Sequence, residues 1–291
     1  MPLISVLFPA YKEDLAVFAK ALSSIIDQDL IDFEVLVGFN YRSHELVDYA
    51  NSLNDERIKV YVNSTNLGLF GNLNNLFDKS RGSYIARMDA DDIAHSNRLS
   101  SQLRFCVSHG CDLVSSNVNF ININNIDLGI YRPQKSSSKS IIWPLLFSRP
   151  LIHPTWFMKR ELFSSLQGYN DVYGAEDYDF LTRAFLSGAR LKNQQEILLD
   201  YRISSSSMSR TRLFEGLSNY YTLNTELFIR TIGISSPSFV AAVGTFRALL
   251  NFPSTFISIK VSKINSLLGK SLKFLLYPPS LIPKIMYLIG F

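Results

Sequence analysis

The stretch that decides the fold is Ser83-Tyr84-Ile85-Ala86-Arg87-Met88-Asp89-Ala90-Asp91-Asp92. Its first part has the β-prone character of a strand, and its end carries three carboxylates that repel one another unless something positive neutralises them. In open α/β sheets, ligands bind beyond the carboxyl ends of the strands, which is where this acidic loop is expected to lie. The stretch therefore predicts an α/β sheet in which one strand delivers an acidic binding site.

Residues before this stretch alternate between strand-like and helix-like segments. Short β-rich runs cover residues 4–8, 33–37 and 58–62, and the segments between them have apolar residues at helical spacing, most clearly over residues 14–29 and 43–53. A third helix is predicted to start near Asn66-Leu67-Gly68. Alternating strands and helices indicate a parallel sheet whose strands are joined by helical crossovers.

The residues after the acidic loop continue the same pattern with more variety. Asp91 or Asp92 is well placed to cap a helix over residues 93–107, because a carboxylate can accept hydrogen bonds from the free amides of a first turn. Alternating polar and apolar residues over 117–127 predict a hairpin or sheet extension. Further segments are a Ser/Lys linker at 134–139, a strand at 152–158, helices at 160–166 and 176–186, and a last strand at 197–201.

Length and composition set the scale of the molecule. The chain has 291 residues, of which 47% are hydrophobic, so it can bury a large core. We expect one α/β domain over residues 1–214 and an appended C-terminal region over residues 215–291. The two cysteines lack metal-ligating companions at useful spacing, and no signal peptide is evident, which together favour a reducing cytosol.

The C-terminal region is both basic and apolar. From Leu227 to Phe291 there are seven Lys and Arg residues and no Asp or Glu, although the whole chain has a net charge of only +4. No uncharged stretch there reaches the roughly 18 to 20 residues that cross a bilayer. Lysines at 260, 263, 270 and 273 lie near one face of a predicted helix, as in helices that bind an anionic membrane surface. The alternative is a helical subdomain that packs on the body or on a second copy, and nucleic acid is not expected because the region is too apolar.

A second acidic run, Glu176-Asp177-Tyr178-Asp179, opens the predicted helix at 176–186. Carboxylates at the start of a helix are favoured by its dipole, so some of this run, Asp179 in particular, is expected to do only that. The two acidic sites can also divide a reaction between them. One can hold a metal ion while the other moves a proton.

Six short motifs, taken in order, resemble the family 2 glycosyltransferases, which have the nucleotide-sugar-binding α/β fold called GT-A. They are Pro9-Ala10-Tyr11-Lys12, Asn66-Leu67-Gly68, Asp89-Ala90-Asp91 with Arg98-Leu99, His153-Pro154, Glu176-Asp177, and Tyr201-Arg202 with Ser207 and Ser209. The resemblance covers residues 4–210, about two thirds of the chain. A lone Asp-x-Asp motif is weak support, but the ordered series is specific.

The resemblance implies an inverting enzyme that moves a sugar from a nucleotide-sugar donor. Asp91 is implied as the ligand of Mn²⁺ or Mg²⁺, and Asp89 as a contact to the ribose or to a metal-bound water. Asp177 is implied as the base that takes the acceptor's proton, with Glu176 beside it. The remaining expected donor contacts are Pro9, Tyr11, Asn40, Gly68 and Arg202, and the possible acceptor contacts are His153 and Trp156.

Departures from the family pattern concern the nucleotide base. Many members carry Asp-Asp-Gly-Ser after the second strand, whereas this chain has Gly38-Phe39-Asn40-Tyr41 and therefore no carboxylate there. Asn40 is expected to hydrogen-bond the base edge instead, with Phe39 or Tyr41 stacking on the base. Lys12 replaces the usual Asn, and Ser204 stands where a His often occurs, so no histidine metal ligand is expected.

The expected acceptor is a glycan or lipid-linked glycan in surface polysaccharide synthesis, with the enzyme on the cytoplasmic face of the membrane. Arg87 and Arg98 are expected to pair with the acidic loop rather than with substrate. Two other functions remain open from the sequence. One is a non-catalytic module that binds a nucleotide or glycan. The other is a sugar-1-phosphate nucleotidyltransferase, which would need a glycine-rich basic loop that residues 9–14 do not provide.

Overall fold

The computed structural model describes residues 1–41, 44–132, 151–172 and 174–203. Its strands are β1 (Ile4–Ala10), β2 (Phe33–Phe39), β3 (Ile58–Val62), β4 (Tyr84–Arg87), β5 (Ile93–Ala94), β6 (Leu113–Ile121), β7 (Asp127–Tyr131), β8 (Phe157–Lys159) and β9 (Leu191–Arg202). Its helices are α1 (Leu15–Ile26), α2 (His44–Ser52), α3 (Gly68–Lys79), α4 (Arg98–Ser108), α5 (Arg160–Ser165) and α6 (Glu176–Leu186). The expected linker at 134–139, Ser204, Ser207, Ser209 and the C-terminal region at 215–291 lie outside the described residues.

The strands form one mixed sheet in the order β3-β2-β1-β4-β8-β6-β9-β5, with β7 paired to β6. The first four strands in this order are parallel, β8 is antiparallel to both β4 and β6, and β9 is parallel to β6. The carboxyl ends of β1, β2, β4, β6 and β9 therefore point to the same edge. This arrangement confirms the predicted α/β fold with a mainly parallel sheet flanked by helices, and β6 with β7 confirms the predicted hairpin.

Both faces of the sheet are covered, which explains the nearly continuous apolar runs of β1 and β2. On one face Phe8 and Val37 pack with α1, whose buried residues Phe18, Leu22 and Ile25 recur at helical spacing. Asp14 caps α1 by accepting the amide hydrogen of Ala16 at 2.9 Å. On the other face, residues that include Leu7 and Leu36 from the sheet and Leu73 from α3 pack together.

Two elements differ from those predicted by the sequence. The helix predicted for 93–107 begins only at Arg98, after Asn97, because Ile93 and Ala94 pair with β9 as strand β5. Neither Asp91 nor Asp92 caps it, so that prediction was wrong.

The second difference is at residues 152–158, where a strand was predicted. This segment is a 3-10 turn, His153–Thr155, followed by the short strand β8. Pro154 lacks an amide hydrogen and cannot donate to a ladder. Among the described residues, no helix has both the length and the apolar character needed to cross a membrane.

Candidate active site

The loop after β4 brings three carboxylates together. One oxygen from each of Asp89, Asp91 and Asp92 lies within 4.8 Å of the others. Burial, followed by repulsion from Asp89 and Glu13, raises the pKa of Asp91 to about 7. A set of three carboxylates, of which Asp89 is paired with an arginine, suits a hard divalent cation such as Mg²⁺ or Mn²⁺. The residues present therefore fit an ion of the expected kind.

Asp89 differs from Asp91 in having a cationic partner. Arg87, which is almost fully buried, forms a bidentate salt bridge with the Asp89 carboxylate. Nη2 and Oδ1 are 2.5 Å apart, and Nη1 and Oδ2 are 2.8 Å apart. Bidentate arginine–carboxylate pairs fix orientation as well as charge. Asp89 is thus held next to the end of β4. The expected pairing of Arg87 with the acidic loop is confirmed.

Asp92 serves the structure of the loop. It is fully buried, and its Oδ1 accepts the backbone amide hydrogen of Arg202 at 2.8 Å. Burial and then the neighbouring Asp91 and Asp89 raise the pKa of Asp92 well above its ordinary value. The third carboxylate therefore joins the loop to the end of β9 and not to the start of a helix.

Arg98 is a second buried arginine behind the acidic loop. Its Nη2 donates to the carbonyl oxygens of Arg87 at 2.5 Å and Pro154 at 3.0 Å. Burial lowers its pKa to about 10, and the nearby Asp92 opposes that shift. Arg98 thereby connects the end of β4 to the His153–Thr155 turn, a link between two predicted site segments.

Arg202 has a role that its expected contact with the donor did not anticipate. Its guanidinium donates to the carbonyl of Asp91 at 2.7 Å, to those of Asn122 and Ile123 at 2.8 and 3.2 Å, and to Oδ1 of Asn125 at 2.8 Å. The residue is only 4% exposed. Its side chain therefore fastens the acidic loop to the turn of the β6–β7 hairpin.

Glu13 is a functional candidate that the sequence analysis missed. Its carboxylate accepts the amide hydrogen of Tyr11 at 2.8 Å and interacts electrostatically with Asp89 and Asp91. Burial raises its pKa. The signal that could have identified Glu13 is its place just after β1, at the ligand-binding edge of the sheet.

The expected donor contacts near β1 and β2 fall into two groups. Tyr11 and Tyr41 are 41% and 50% exposed, with Lys12 Nζ 5.2 and 4.6 Å from their ring centroids. Pro9 is buried in β1, and Phe39 is fully buried, so the expectation that Phe39 stacks on a base was wrong. Of the aromatic residues expected here, Tyr11 and Tyr41 are accessible to a base.

Asn40 uses its side chain to hold the loop before α3. Its Nδ2 donates to the carbonyl of Gly68 at 2.7 Å, and its Oδ1 accepts the amide hydrogen of Leu67 at 3.2 Å. Gly68 has a positive φ of 68°, a conformation that favours glycine at this first helical residue. The structure thus gives Asn40 and Gly68 a shared task in shaping the loop.

Helix α3 approaches β2 very closely at Gly38. Asn72 Nδ2 donates to the Gly38 carbonyl at 2.6 Å, and a Cβ at position 38 would lie 2.4 Å from Asn72 Oδ1. Asn63 Nδ2 bonds the same Asn72 oxygen at 3.0 Å. The backbone at 38 is therefore fixed by side-chain amides.

The second acidic run begins α6, as predicted. Asp177 is 8% exposed, and its Oδ1 accepts the backbone amide hydrogen of Tyr178 at 2.8 Å. Asp179 does more than complement the helix dipole, contrary to expectation. It accepts from Asn170 at 3.0 Å and pairs with Arg183 at 2.7 Å.

Arg183 extends that arrangement into the preceding loop. Its Nη1 and Nη2 donate to the carbonyls of Leu166 and Gly168 at 2.6 and 2.9 Å. Asn74 from α3 holds the next residue, because its amide accepts from the Tyr169 N–H and donates to the Tyr169 C=O, both at 2.9 Å. Residues 166–169, in the loop that leads to α6, are thus held by side-chain hydrogen bonds.

Tyr169 joins the loop before α6 to the turn beside β4. Its hydroxyl forms a 2.7 Å hydrogen bond with His153 Nε2. Burial raises its pKa; Arg87 opposes that shift, while Asp177, Glu176 and Asp89 add to it.

The two possible acceptor contacts differ in access. His153 is 8% exposed, whereas Trp156 is fully buried and packs against His153, with ring centroids 4.4 Å apart. The expectation that Trp156 touches the acceptor was wrong, because its ring belongs to the core. It supports the imidazole instead.

Comparisons with known proteins indicate one enzyme family. The model of the family described as Glycosyl transferase family 2 matches residues 5–166. An uncharacterized glycosyltransferase of Methanocaldococcus jannaschii is 30% identical over 231 residues, 77% of this chain and 79% of that protein. The Escherichia coli UDP-Gal:alpha-D-GlcNAc-diphosphoundecaprenol beta-1,3-galactosyltransferase is 29% identical over 216 residues, 72% of this chain and 77% of that protein.

Solved structures add the fold. The mannosyltransferase PcManGT from Pyrobaculum calidifontis, solved in complex with GDP-Man and Mn²⁺, has a TM-score of 0.62 at 17% sequence identity. The match covers 99% of this chain and 85% of that one. The architecture built by the described residues is thus that of known nucleotide-sugar enzymes.

Proposed function

The chain belongs to glycosyl transferase family 2 and is a glycosyltransferase, and on that premise we propose that it transfers a sugar from a nucleotide-sugar donor to an acceptor hydroxyl with inversion. The observation that carries the proposal is a series of hydrogen bonds that links the two acidic segments. Arg98 Nη2 donates to the carbonyl of Arg87, just before the acidic loop, and to that of Pro154, and the neighbouring His153 bonds Tyr169 in the loop before α6. A donor and an acceptor that react must be held at one site, and these bonds support such an arrangement.

The donor half of the proposed site is the loop after β4. We propose that Asp91 and Asp89 hold Mn²⁺ or Mg²⁺, which when bound would neutralise the donor diphosphate and act as a Lewis acid on the leaving group. We also propose that Asp89, which is oriented by its pair with Arg87, contacts the ribose. Tyr11 and Tyr41 offer exposed rings to the base, and Asn40 with Gly68 shapes the loop beside them.

The acceptor half is the start of α6. We assign Asp177 as the base that accepts the proton of the attacking hydroxyl, and Glu176 as its neighbour that orients the acceptor. General base catalysis of this kind contributes about 10² to 10⁴ in rate. Attack by the hydroxyl on the face opposite the leaving diphosphate inverts the anomeric carbon. We propose His153, which is hydrogen-bonded to Tyr169, as a further acceptor contact.

Relatives guide the substrate class. The E. coli relative is named for a UDP-Gal donor and an acceptor linked to diphosphoundecaprenol. We propose a nucleoside diphosphate hexose as donor and a glycan or lipid-linked glycan as acceptor, in the synthesis of a surface polysaccharide. The basic, apolar sequence from Leu227 to Phe291 supports a peripheral position on the anionic inner face of the cell membrane.

A panel of nucleotide sugars tests the proposed function. Purified protein is incubated with each donor, with and without Mn²⁺, and binding and release of the nucleoside diphosphate are measured. We expect Mn²⁺-dependent binding and slow hydrolysis of at least one donor in wild type, and loss of that binding in Asp91→Ala. Binding without any nucleotide release, with or without sugar acceptors, would instead indicate a non-catalytic binding module.

A further inference from the structure

The β6–β7 hairpin, residues 119–131, carries an exposed apolar surface at the ligand-binding edge of the sheet. We call this surface the apolar ledge. Four aliphatic side chains within eight residues are exposed: Ile123 by 53%, Ile126 by 58%, Leu128 by 39% and Ile130 by 51%. Exposed apolar side chains scattered singly are ordinary, but a contiguous set marks an interaction site. The proposed reaction uses none of these residues.

The hairpin is fixed to the acidic loop. Arg202 bridges the two, since the same guanidinium bonds the carbonyl of Asp91 and the carbonyls of Asn122 and Ile123. Within the turn, Asn122 Oδ1 accepts the amide hydrogens of Asn124 and Ile126, both at 2.9 Å. The apolar ledge therefore keeps a constant place beside the proposed metal ligands.

The chemistry of the hairpin favours an uncharged occupant. Asp127 is the only charged residue from 119 to 131, and its Oδ1 accepts the amide hydrogen of Gly129 at 2.6 Å. No lysine or arginine lies between Ile123 and Ile130, although the exposed Arg132 follows the hairpin directly, so the aliphatic set itself offers no cation to a phosphate or to an acidic peptide. Exposed aliphatic side chains favour contact with hydrocarbon, because both surfaces are then removed from water.

We propose that this hairpin seats the hydrocarbon chain of a lipid-linked acceptor next to the Asp89–Asp92 loop. The inference rests on the proposed function, because a lipid-linked acceptor must bring its sugar to this edge while its chain lies against the protein. The neutral ledge matches the chain, and its attachment through Arg202 sets the distance to the reacting centre. Binding of the chain would thus help to select acceptors.

A fluorescence experiment tests the proposal directly. A solvent-sensitive bimane is attached at Ile126→Cys in the full chain; both natural cysteines are buried, so the label is selective. The matched control is Ile31→Cys, which replaces an isoleucine that is 82% exposed at the opposite edge of the sheet. The probe is undecaprenyl phosphate at a few per cent in phosphatidylcholine vesicles, compared with vesicles that lack it and with inorganic phosphate.

We expect a blue shift at position 126 with undecaprenyl phosphate and none at position 31. The double variant Ile123→Ser, Ile130→Ser in the labelled protein should weaken this response about tenfold, since two apolar contacts are removed. A shift with plain vesicles would mean that the hairpin meets the bilayer. A shift that grows with protein concentration without lipid would mean that a second copy covers it. Either result, or no shift at all, overturns the proposal.

Donor hydrolysis without lipid separates this inference from the proposed function. If hydrolysis persists in the double variant while the lipid response is absent in wild type, the hairpin proposal alone fails. If wild type hydrolyses no nucleotide sugar, the proposed function fails, whatever the vesicles show. An unchanged melting temperature in the double variant excludes unfolding as the cause of a lost response.

Discussion

The hydroxyl of Tyr169 and Nε2 of His153 are joined by a 2.7 Å hydrogen bond between the loop before α6 and the turn beside β4. This bond connects the side of the molecule that carries Asp177 with the side that carries Arg87 and Asp89. We therefore propose that Tyr169 is a positioning residue, because its hydroxyl holds the imidazole of His153.

Replacing Tyr169 by Phe keeps the aromatic packing and removes the hydroxyl. We expect kcat for transfer to fall about 3- to 10-fold, the worth of one hydrogen bond, with donor Kd unchanged. Steady-state kinetics and calorimetric donor binding measure the two quantities. Tyr49→Phe, on α2, is the control and should leave both unchanged. An equal loss of donor affinity in the Tyr169 variant would contradict a role confined to positioning.

Asp177→Asn tests the proposed base. Because an amide cannot accept the hydroxyl proton, transfer should fall by about 10² to 10⁴, while donor and Mn²⁺ still bind. Transfer is followed with a radiolabelled donor, and binding by calorimetry. If the purified variant transfers at the wild-type rate, another group is the base.

Asp91 should make metal affinity depend on pH. With a pKa near 7 in the folded protein, Asp91 is protonated below that value and competes with the cation, so Mn²⁺ affinity should rise as pH increases from 6 to 8. Electron paramagnetic resonance of free Mn²⁺ measures it. A flat profile over this range would exclude Asp91 as a ligand.

The same carboxyl should affect stability in the metal-free protein. Its folded pKa of about 7 exceeds the roughly 3.9 of an unfolded chain, so between these values the folded state binds more protons. Stability should therefore fall as pH rises from about 4 to about 7. Asp91→Asn should raise the melting temperature at pH 8 relative to wild type, and a lower value would contradict the raised pKa.

Asp179→Asn separates structure from chemistry within one acidic run. Loss of the pair with the partly exposed Arg183 should lower the free energy of unfolding by on the order of 2 kcal/mol, between the values for surface and buried pairs. Urea unfolding measures it. Asp177→Asn is the contrasting variant, expected to lose activity with little change in stability. The reverse pattern would mean that the two roles are exchanged.

Local pattern accounts for much of the fold. The predicted first strands and α1 are confirmed because apolar spacing and the Asp14 cap act between near neighbours in sequence. The start of α4 could not be predicted in this way, since Ile93 and Ala94 pair with residues more than 100 positions later. Long-range pairing overrode a locally favourable helix cap.

The site shows the same division. Motifs singled out Asp89, Asp91 and Asp177, and their proposed roles stay predictions. The contacts of Arg202 and Asn40 were not foreseen, because each side chain bonds backbone groups far away in sequence. Sequence types alone do not reveal whether a polar side chain faces a ligand or another part of the chain. The partners of Asp179 and Glu13 lie nearer, nine and two positions away, and those contacts depend on the path of the local backbone.

The close approach at Gly38 excludes any larger residue from this position near the end of β2. A side chain there would drive a new Cβ into the Asn72 amide. A mutation that shortens residue 72 must come first, and alone it would remove the bond that holds the Gly38 carbonyl. The two changes are therefore epistatic, and the order in which they occur decides whether the intermediate folds.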